Sequence, residues 1–349
     1  MLKTLRQANA EKRVSAARAC GGKVLKVYIV GKGAIGTFFG DLLAKTGNDI
    51  VYAPRDWENV EPVDAELAIV AVKAYDTDGA IETLRRGLAK PAETAILCPQ
   101  NGVGNEEKLA AAFGPDPVVA CALTIPVEMD RTGVSHATNT GGIAFAPVGK
   151  EAHNWILAAF GQAGLQTKAV EDYRALKWSK LALNNVANAS CAILNVLPER
   201  LVHFDEIFTL EIRAIREVRA VMAAQNIPPI DLPRYPLRAL QAVANLPSPV
   251  SRLALAKSIA GARGRKPPSL LLDLRAGKNQ TEVSVLNGAV ADAGHRLNVS
   301  TPVNAVFARV LSDIAHMPAL WAKYRERPDQ LEAEYRAELG RLRAARSPA

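Results

Sequence analysis

Short apolar runs alternate with helix-type segments over the first half of the chain. The runs are rich in Val, Ile and Leu, which is typical of strands buried on both faces of a sheet. The predicted strands are 25–30, 49–52, 67–72, 94–97, 118–124, 142–147 and 167–170, and the predicted helices between them are 37–46, 78–89, 105–113 and 151–164. This alternation predicts a largely parallel sheet with helices on both faces.

The pattern changes near residue 172, and the rest of the chain is helical in type. Long segments rich in Ala, Leu and Arg are separated by prolines. Thr301 and Pro302 predict a helix start, with Thr as the cap and Pro at the first helical position. We therefore expect an all-α C-terminal domain over residues 173–349.

Three glycines follow the first predicted strand directly, at G-x-G-x-x-G spacing, in the segment Gly31, Lys32, Gly33, Ala34, Ile35 and Gly36. In a strand–turn–helix context the first glycine permits a tight turn, the second lets the backbone approach a pyrophosphate, and the third lets the helix pack on the strand. The N–H groups at the start of that helix favour phosphate. The spacing predicts an α/β Rossmann-type dinucleotide-binding domain over residues 25–172.

The end of the second strand bears on which dinucleotide binds. An acid about twenty residues beyond the glycines is typical of NAD enzymes, whereas an arginine suits the 2′-phosphate of NADP. Arg55 stands here, and its planar charged fork matches a phosphate. Asp56 follows it, and pairing with Arg55 or a preference for NAD is the alternative. The sequence favours NADP (NADPH).

Composition narrows the class of protein. The 349 residues suggest about two domains, and no apolar run approaches the roughly 20 residues of a membrane span. The net charge of +8 is spread along the chain and only 5% of residues are aromatic, so we expect no nucleic-acid partner.

Four scattered cysteines predict reduced thiols and a cytoplasmic location, and the five histidines have no metal-ligand spacing, so we expect no metal. Residues 1–24 form a basic extension that we expect to be disordered.

Further segments carry chemistry. Lys73 ends the third predicted strand in VAVKAYDT, Asn101 follows the next one in QNGVGN, and WSKLALNNVAN (178–188) opens the helical part. With the glycine segment, and with SLLLDLRAG (269–277), Thr281-Glu282, LNG (286–288) and TPVN (301–304), these resemble the ketopantoate reductases (2-dehydropantoate 2-reductases). The resemblance spans roughly residues 25–315 in the right order.

The resemblance implies an oxidoreductase of EC class 1.1.1.169. It would reduce 2-dehydropantoate to (R)-pantoate with NADPH, on the route to pantothenate and coenzyme A. It places Lys180 as proton donor, Asn184, Asn188 and Ser269 at the substrate, Glu282 as the residue that orders cofactor and lysine, and Lys73 and Asn101 at the cofactor. It also suggests a homodimer through the helical domain.

The spacing of residues in WSKLALNNVAN (178–188) supports a catalytic lysine without the resemblance. Lys180, Asn184 and Asn188 lie at i, i+4 and i+8, so one continuous helix would place all three on one face. A lysine there can protonate an alkoxide as hydride arrives. The alternative is a solvated polar stripe. Taken singly, Ser269 and Glu282 are also compatible with helix caps, and Asn101 with a turn residue.

Departures from the family pattern keep two other functions open. Residues 55–67 are too few for a further helix and strand, and Pro198 stands where a substrate-side asparagine is expected, with the nearby Asn195 as an alternative. The segment 277–282 is one residue longer than the family's, and Val283-Ser284 replaces an Ile-Asp pair. One alternative is an NADP-dependent reductase of another 2-oxo acid or of an imine on the same scaffold. The other is a non-catalytic NADP-binding regulator, against which the retained lysine argues.

Overall fold

The structure is a computed structural model that describes residues 24–56, 60–130, 132–137, 141–151, 153–247, 250–251, 253–256 and 266–346. The predicted disordered extension over 1–24 lies, except for its last residue, outside the described residues.

The described residues form nine strands. They are β1 (Lys26–Val30), β2 (Asp49–Tyr52), β3 (Leu67–Val70), β4 (Ala95–Cys98), β5 (Val118–Leu123), β6 (Val127–Met129), β7 (Ser135–Ala137), β8 (Gly142–Pro147) and β9 (Gln166–Ala169). The helices of the first half are α1 (Ala34–Lys45), α2 (Thr77–Gly87), α3 (Asn105–Phe113) and α4 (Asn154–Gln162). These positions confirm the predicted alternation, and only the short hairpin of β6 and β7 is absent from the prediction.

The remaining helices follow β9. They are α5 (Tyr173–Asn185), α6 (Ala189–Leu194), α7 (Pro198–Leu201), α8 (Asp205–Ala224), α9 (Leu237–Ala244), α10 (Ser269–Arg275), α11 (Asn287–Arg296), α12 (Pro302–His316), α13 (Trp321–Tyr324) and α14 (Pro328–Arg346), with 3₁₀ turns at Ala74–Asp76, Glu282–Val285 and Pro318–Leu320. The mostly helical second half confirms the predicted fold class.

Seven strands make one sheet in the order β2-β1-β3-β4-β5-β8-β9. All neighbours are parallel except β5 and β8, which pair antiparallel. The chain moves outward from β1 to β2 and then crosses back to β3 on the other side of β1. The order therefore reverses between β1 and β3, and ligands of open α/β sheets bind at the carboxyl ends of such strands.

The segment between β2 and β3 is short, as the sequence indicated. Its described residues, 53–56 and 60–66, contain no helix, and Val63 forms a bridge with Leu88. Strand β2 consequently ends the sheet, because no further strand lies beyond it in the part of the chain that the structure describes.

Side chains of the strands alternate between two apolar cores. Val27 and Ile29 of β1 pack with Phe39 of α1 and Phe160 of α4 on one face. Tyr28 and Val30 pack with side chains of α2 and α3 on the other face. Successive strand residues point to opposite faces, so a strand covered on both sides must be apolar at every position. This is why the strands read as continuous apolar runs.

The helical part packs around α8, which contacts α9, α11, α12 and α14. Thr301 is the N-cap residue of α12 and Pro302 its first residue, which confirms the predicted helix start, but the Thr301 side chain makes no capping hydrogen bond. Glu217 of α8 takes that role, since its carboxylate accepts from the backbone N–H groups of Val303 at 3.0 Å and Asn304 at 2.9 Å. An acid at a helix N-terminus is also favoured by the helix dipole.

The chain divides by compactness into two units. The first takes the described residues up to Gln100, Gly104–Lys177 and Leu232–Tyr235, and the second takes Asn101–Val103, Trp178–Asp231 and the described residues from Pro236 onward. The domain boundary predicted at residue 172 stays a prediction. In the described part of the chain, no helix is both long enough and apolar enough to cross a membrane.

Candidate active site

The glycine segment of the first unit has the shape of a dinucleotide cradle. A Cβ on Gly31, whose φ is +102°, would lie 2.8 Å from the backbone of Ala71, and one on Gly36 would lie 1.9 Å from the carbonyl oxygen of Gly31. These positions therefore require glycine. A Cβ on Gly33 would meet nothing within 4 Å, so backbone is open to a ligand at the start of α1. The cradle fits a pyrophosphate.

The residues between these glycines differ in exposure. Lys32 is exposed, and its ammonium lies 5.1 Å from the ring centre of Tyr52 at the end of β2. Ala34 and Ile35 form the first turn of α1 and are half-buried. Burial, and then the charge of Asp41, raise the pKa of Tyr52. Lys32 thus places a positive charge beside the pyrophosphate cradle.

Arg55 lies just past β2 with an exposed side chain. It forms no hydrogen bond or ion pair with the residues that the structure describes, so the pairing of Arg55 with Asp56 that the sequence left open is not formed there. Its guanidinium is therefore available to an anion.

Gln100 fixes the backbone beside Lys73. Its side-chain amide donates to Thr77 Oγ1 at 2.9 Å, to the Val72 carbonyl at 3.2 Å and to the Lys73 carbonyl at 3.4 Å. Lys73 itself is half-buried and directly precedes the 3₁₀ turn Ala74–Asp76. The carboxyl ends of β3 and β4 are thus joined by side-chain hydrogen bonds at the edge where the sheet order reverses.

A buried ion pair lies behind this edge. Lys177 is 2% exposed and Glu106 is fully buried, with Nζ and Oε1 2.7 Å apart. The ammonium also donates to the Gln100 carbonyl at 2.5 Å. Burial is the largest single influence on the pKa of Lys177 and would lower it, but the charge and hydrogen bond of Glu106, together with Cys98 and Cys121, raise the pKa above its ordinary value. Burial, and then the Glu106 charge, raise the pKa of the neighbouring Cys98 thiol well above its usual value.

In the second unit, three predicted site residues form one hydrogen-bonded row. The Asn184 amide donates to Asn101 Oδ1 at 2.9 Å, and the Asn101 amide donates to Glu282 Oε2 at 3.3 Å. Asn184 and Asn101 are half-buried, and Glu282 is 3% exposed. The structure thus brings together residues that lie up to 181 positions apart in the chain.

Lys180 lies one helical turn before Asn184 on α5, and its side chain is half-buried. Two residues four apart on a helix share a face, so the predicted pairing of Lys180 with Asn184 agrees with the structure. The predicted single helix face is wrong for Asn188. The helix ends at Asn185, Ala187 has φ +51°, and Asn188 is the residue preceding α6.

Asn188 instead contacts the start of α10. Its Oδ1 accepts from the Leu270 N–H at 3.2 Å, and its amide lies 3.5 Å from Ser269 Oγ. Asn188 is 4% exposed, whereas Ser269 is exposed. The alternative that Ser269 is an ordinary cap does not hold, because Pro268 occupies the N-cap position. Asn188 and Ser269 form a second pair beside the row of Asn184, Asn101 and Glu282.

Three buried charged residues of these surroundings are absent from the sequence prediction, namely Lys177, Glu106 and Glu211. Glu211 lies on α8 among Ile207, Leu210, Ala214 and Val218, all buried. A charged residue within the apolar face of a helix is the sequence signal that could have identified Glu211. The sequence does not show which residue bonds to its carboxylate.

The substrate-side departure seen in the sequence is also present in the structure. Pro198 is buried at the first position of α7, and it has no side-chain donor to offer. The nearby Asn195 has φ +55°, and its amide oxygen accepts from Arg275 Nε at 3.0 Å.

Two family models match the chain. The one described as Ketopantoate reductase PanE/ApbA matches residues 50–150, and the one described as Ketopantoate reductase PanE/ApbA C terminal matches residues 172–315. A relative from Pyrococcus horikoshii named 2-dehydropantoate 2-reductase is 26% identical over 80% of this chain and 94% of its own.

Solved structures share the fold. A PanE/ApbA family ketopantoate reductase from Ralstonia eutropha aligns with a TM-score of 0.68 at 24% identity, over 83% of this chain and 99% of its own. A complex of D-mandelate dehydrogenase with NADH aligns with a TM-score of 0.69 at 19% identity and the same coverage. A dimeric ketopantoate reductase from Staphylococcus aureus aligns with a TM-score of 0.66 at 16% identity, over 84% of this chain and 99% of its own.

Proposed function

The chain belongs to the ketopantoate reductase family, and from that premise we propose that it reduces 2-dehydropantoate to (R)-pantoate with NADPH. The observation that carries this proposal is the hydrogen-bonded row of Asn184, Asn101 and Glu282, with Lys180 one turn before Asn184. A non-catalytic NADP-binding regulator would need no lysine and no row of amides at a substrate site.

The first unit would hold the cofactor, which supplies the hydride when bound. The backbone from Gly31 to Gly36 offers the open cradle, with α1 behind it. Lys32 and Lys73 add two positive charges, and Asn101 adds an amide. Arg55, exposed and without a partner among the described residues, would take the 2′-phosphate and so select NADPH over NADH.

Lys180 would supply the proton. As C2 of the 2-oxo acid gains a hydride, its carbonyl oxygen gains negative charge, and an ammonium stabilises that charge before it gives up a proton. The product is the 2-hydroxy acid with Lys180 as a neutral amine, which regains its proton from solvent. Glu282, held by Asn101, would order the lysine and the cofactor.

The amides and the serine would bind the substrate. Asn184 would reach the reacting end from the face that it shares with Lys180. Ser269, exposed at the start of α10 beside Asn188, would receive the carboxylate. A hydroxyl and an amide that both donate are suited to a carboxylate.

The substrate-side departures support a second candidate, a reductase of another 2-oxo acid or of an imine. Pro198 and the occupied Asn195 remove an amide that the family pattern provides. The fold shared with D-mandelate dehydrogenase adds an aryl 2-oxo acid to the compounds worth testing.

The test is NADPH oxidation by the purified protein with ketopantoate, with aliphatic and aryl 2-oxo acids, and with a 2-oxo acid plus an amine. We expect the highest kcat/KM for ketopantoate. A higher value for another 2-oxo acid would establish the second candidate. NADPH binding without turnover of any of these compounds would establish the regulator.

Two further expectations accompany the proposal. A homodimer is supported by the dimeric relative of the same fold, and sedimentation analysis would test it. A cytoplasmic location is supported by Cys98, Cys121 and Cys191, which are buried and not joined by disulfides.

A further inference from the structure

The break between α5 and α6 determines where Asn188 lies. Because the helix ends at Asn185, Asn188 does not continue the face of Lys180. Ala187 adopts φ +51°, a left-handed conformation that is unfavourable for an alanine. Such a conformation persists only where surrounding contacts hold it.

Glu211 supplies those contacts. It lies on α8 with no exposed surface, and its Oε2 accepts from the Ala187 N–H at 2.7 Å. Its Oε1 accepts from the Ser190 hydroxyl at 2.5 Å. The two bonds join the chain immediately before Asn188 and two residues after it to one carboxylate.

Asn188 transmits this placement to α10. Its Oδ1 accepts from the Leu270 N–H at 3.2 Å, and its amide lies 3.5 Å from Ser269 Oγ. A side chain that is 4% exposed has little freedom to recover its position if the backbone beneath it changes. The order of contacts is therefore Glu211, the Ala187–Ser190 turn, Asn188 and Ser269.

We propose that Glu211 is a positioning residue for substrate binding, which sets the helix break and thereby aligns Asn188 with Ser269 for the carboxylate of the 2-oxo acid. This inference rests on the proposed function of Asn188 and Ser269. Glu211 itself touches neither substrate nor cofactor in this scheme. It acts through the backbone of Ala187 and the hydroxyl of Ser190.

Two substitutions at this position differ in the bonds that they keep. Glu211→Met retains the length of the side chain but accepts no strong hydrogen bond, so the buried Ala187 N–H is left without its partner. Glu211→Gln retains both contacts, because its oxygen accepts from Ala187 and its amide donates to Ser190 Oγ. A positioning role predicts a large effect for methionine and a small one for glutamine.

The experiment compares both variants with the parent protein at a temperature where all are folded. We expect Glu211→Met to raise KM for ketopantoate about tenfold while NADPH affinity stays within twofold, and Glu211→Gln to keep KM within about threefold. The matched control is Glu217→Met, on the same helix, which removes a buried carboxylate from the start of α12. It should lower the unfolding temperature but leave the ketopantoate KM within twofold.

Equal rises of KM in Glu211→Met and Glu217→Met would overturn the proposal, because they would report general destabilisation. If the methionine variant does not fold, Ser190→Ala removes one of the two bonds and should raise KM in the same selective way. An unchanged KM in Ser190→Ala would then overturn the proposal.

Crystal structures of the two Glu211 variants separate this inference from the proposed function. We expect the positive φ of Ala187 and the Asn188–Leu270 bond to be kept with glutamine and lost with methionine. If the parent protein does not turn over any 2-oxo acid, the proposed function fails, and the structures still decide whether Glu211 sets the turn. Retention of both features in the methionine variant would contradict the inference.

Discussion

The buried pair of Lys177 and Glu106 makes a strong prediction about the stability of the first unit. Their charged atoms lie 2.7 Å apart, and the two side chains are 2% and 1% exposed. The pair also anchors the Gln100 carbonyl. Lys177→Met leaves the Glu106 carboxylate buried without a counter-charge. Glu106→Leu likewise leaves the Lys177 ammonium buried without a counter-charge.

The expected magnitude follows from the desolvation of the remaining charge. Removing one partner of a buried pair typically costs about 3–5 kcal/mol. For a unit of this size 1 kcal/mol lowers the unfolding temperature by about 2–4 °C, so each single variant should lose roughly 10 °C. The double variant Lys177→Met/Glu106→Leu removes both charges and should recover most of this loss, because apolar replacement of a buried pair is often nearly neutral.

Differential scanning calorimetry and urea unfolding would measure these changes, with transitions assigned separately to the two units. Lys108→Met is the matched control, since Lys108 lies on the same helix as Glu106 and its 2.8 Å pair with Asp78 is exposed. That variant should cost less than about 1 kcal/mol. The reasoning is refuted if Lys177→Met costs no more than Lys108→Met, or if the double variant is no more stable than the weaker single variant.

Two further predictions concern the cofactor and pH. Arg55→Ala should weaken the affinity for NADPH about 10–150-fold, because a charge-assisted contact is worth about 1.5–3 kcal/mol. A fluorescence titration should show nearly unchanged affinity for NADH, and an equal loss of affinity for both cofactors would exclude Arg55 as the residue that discriminates between them. Burial raises the pKa of Glu217 to about 7 from an ordinary value of 4.5. Between pH 4.5 and pH 7, Glu217 therefore holds a proton in the folded protein that it has released in the unfolded chain. Unfolding free energy should therefore fall as pH rises from about 4.5 to 7, by up to about 3 kcal/mol, and Glu217→Gln should remove most of that slope in urea titrations; an unchanged slope would show that another group is responsible.

The sequence was sufficient wherever the determining contacts are local. The glycine segment could be predicted because Gly31 and Gly36 are needed for contacts among the strand, its turn and the following helix. The strands could be predicted because both faces of the sheet are covered, which requires apolar residues at every position. The pairing of Lys180 with Asn184 follows from helical geometry alone.

The sequence was insufficient where a distant side chain decides the local structure. The helix break before Asn188 depends on a bond to Glu211, 24 positions beyond Ala187. Thr301 has the residue type of a cap, but Glu217 of another helix occupies the N–H groups that a cap would use. Lys177 lies in the segment EDYRALKW (171–178), and the sequence gives no sign that Glu106 lies against it.

The central claim is that Lys180 donates the proton, and its most direct test is the rate of ketopantoate reduction by Lys180→Ala. The account predicts that kcat and kcat/KM both fall by at least about 100-fold, while NADPH affinity stays within twofold of the parent. Lys108→Ala, the loss of an exposed lysine, should leave all three quantities unchanged. Turnover in Lys180→Ala equal to that of the parent protein would contradict the account.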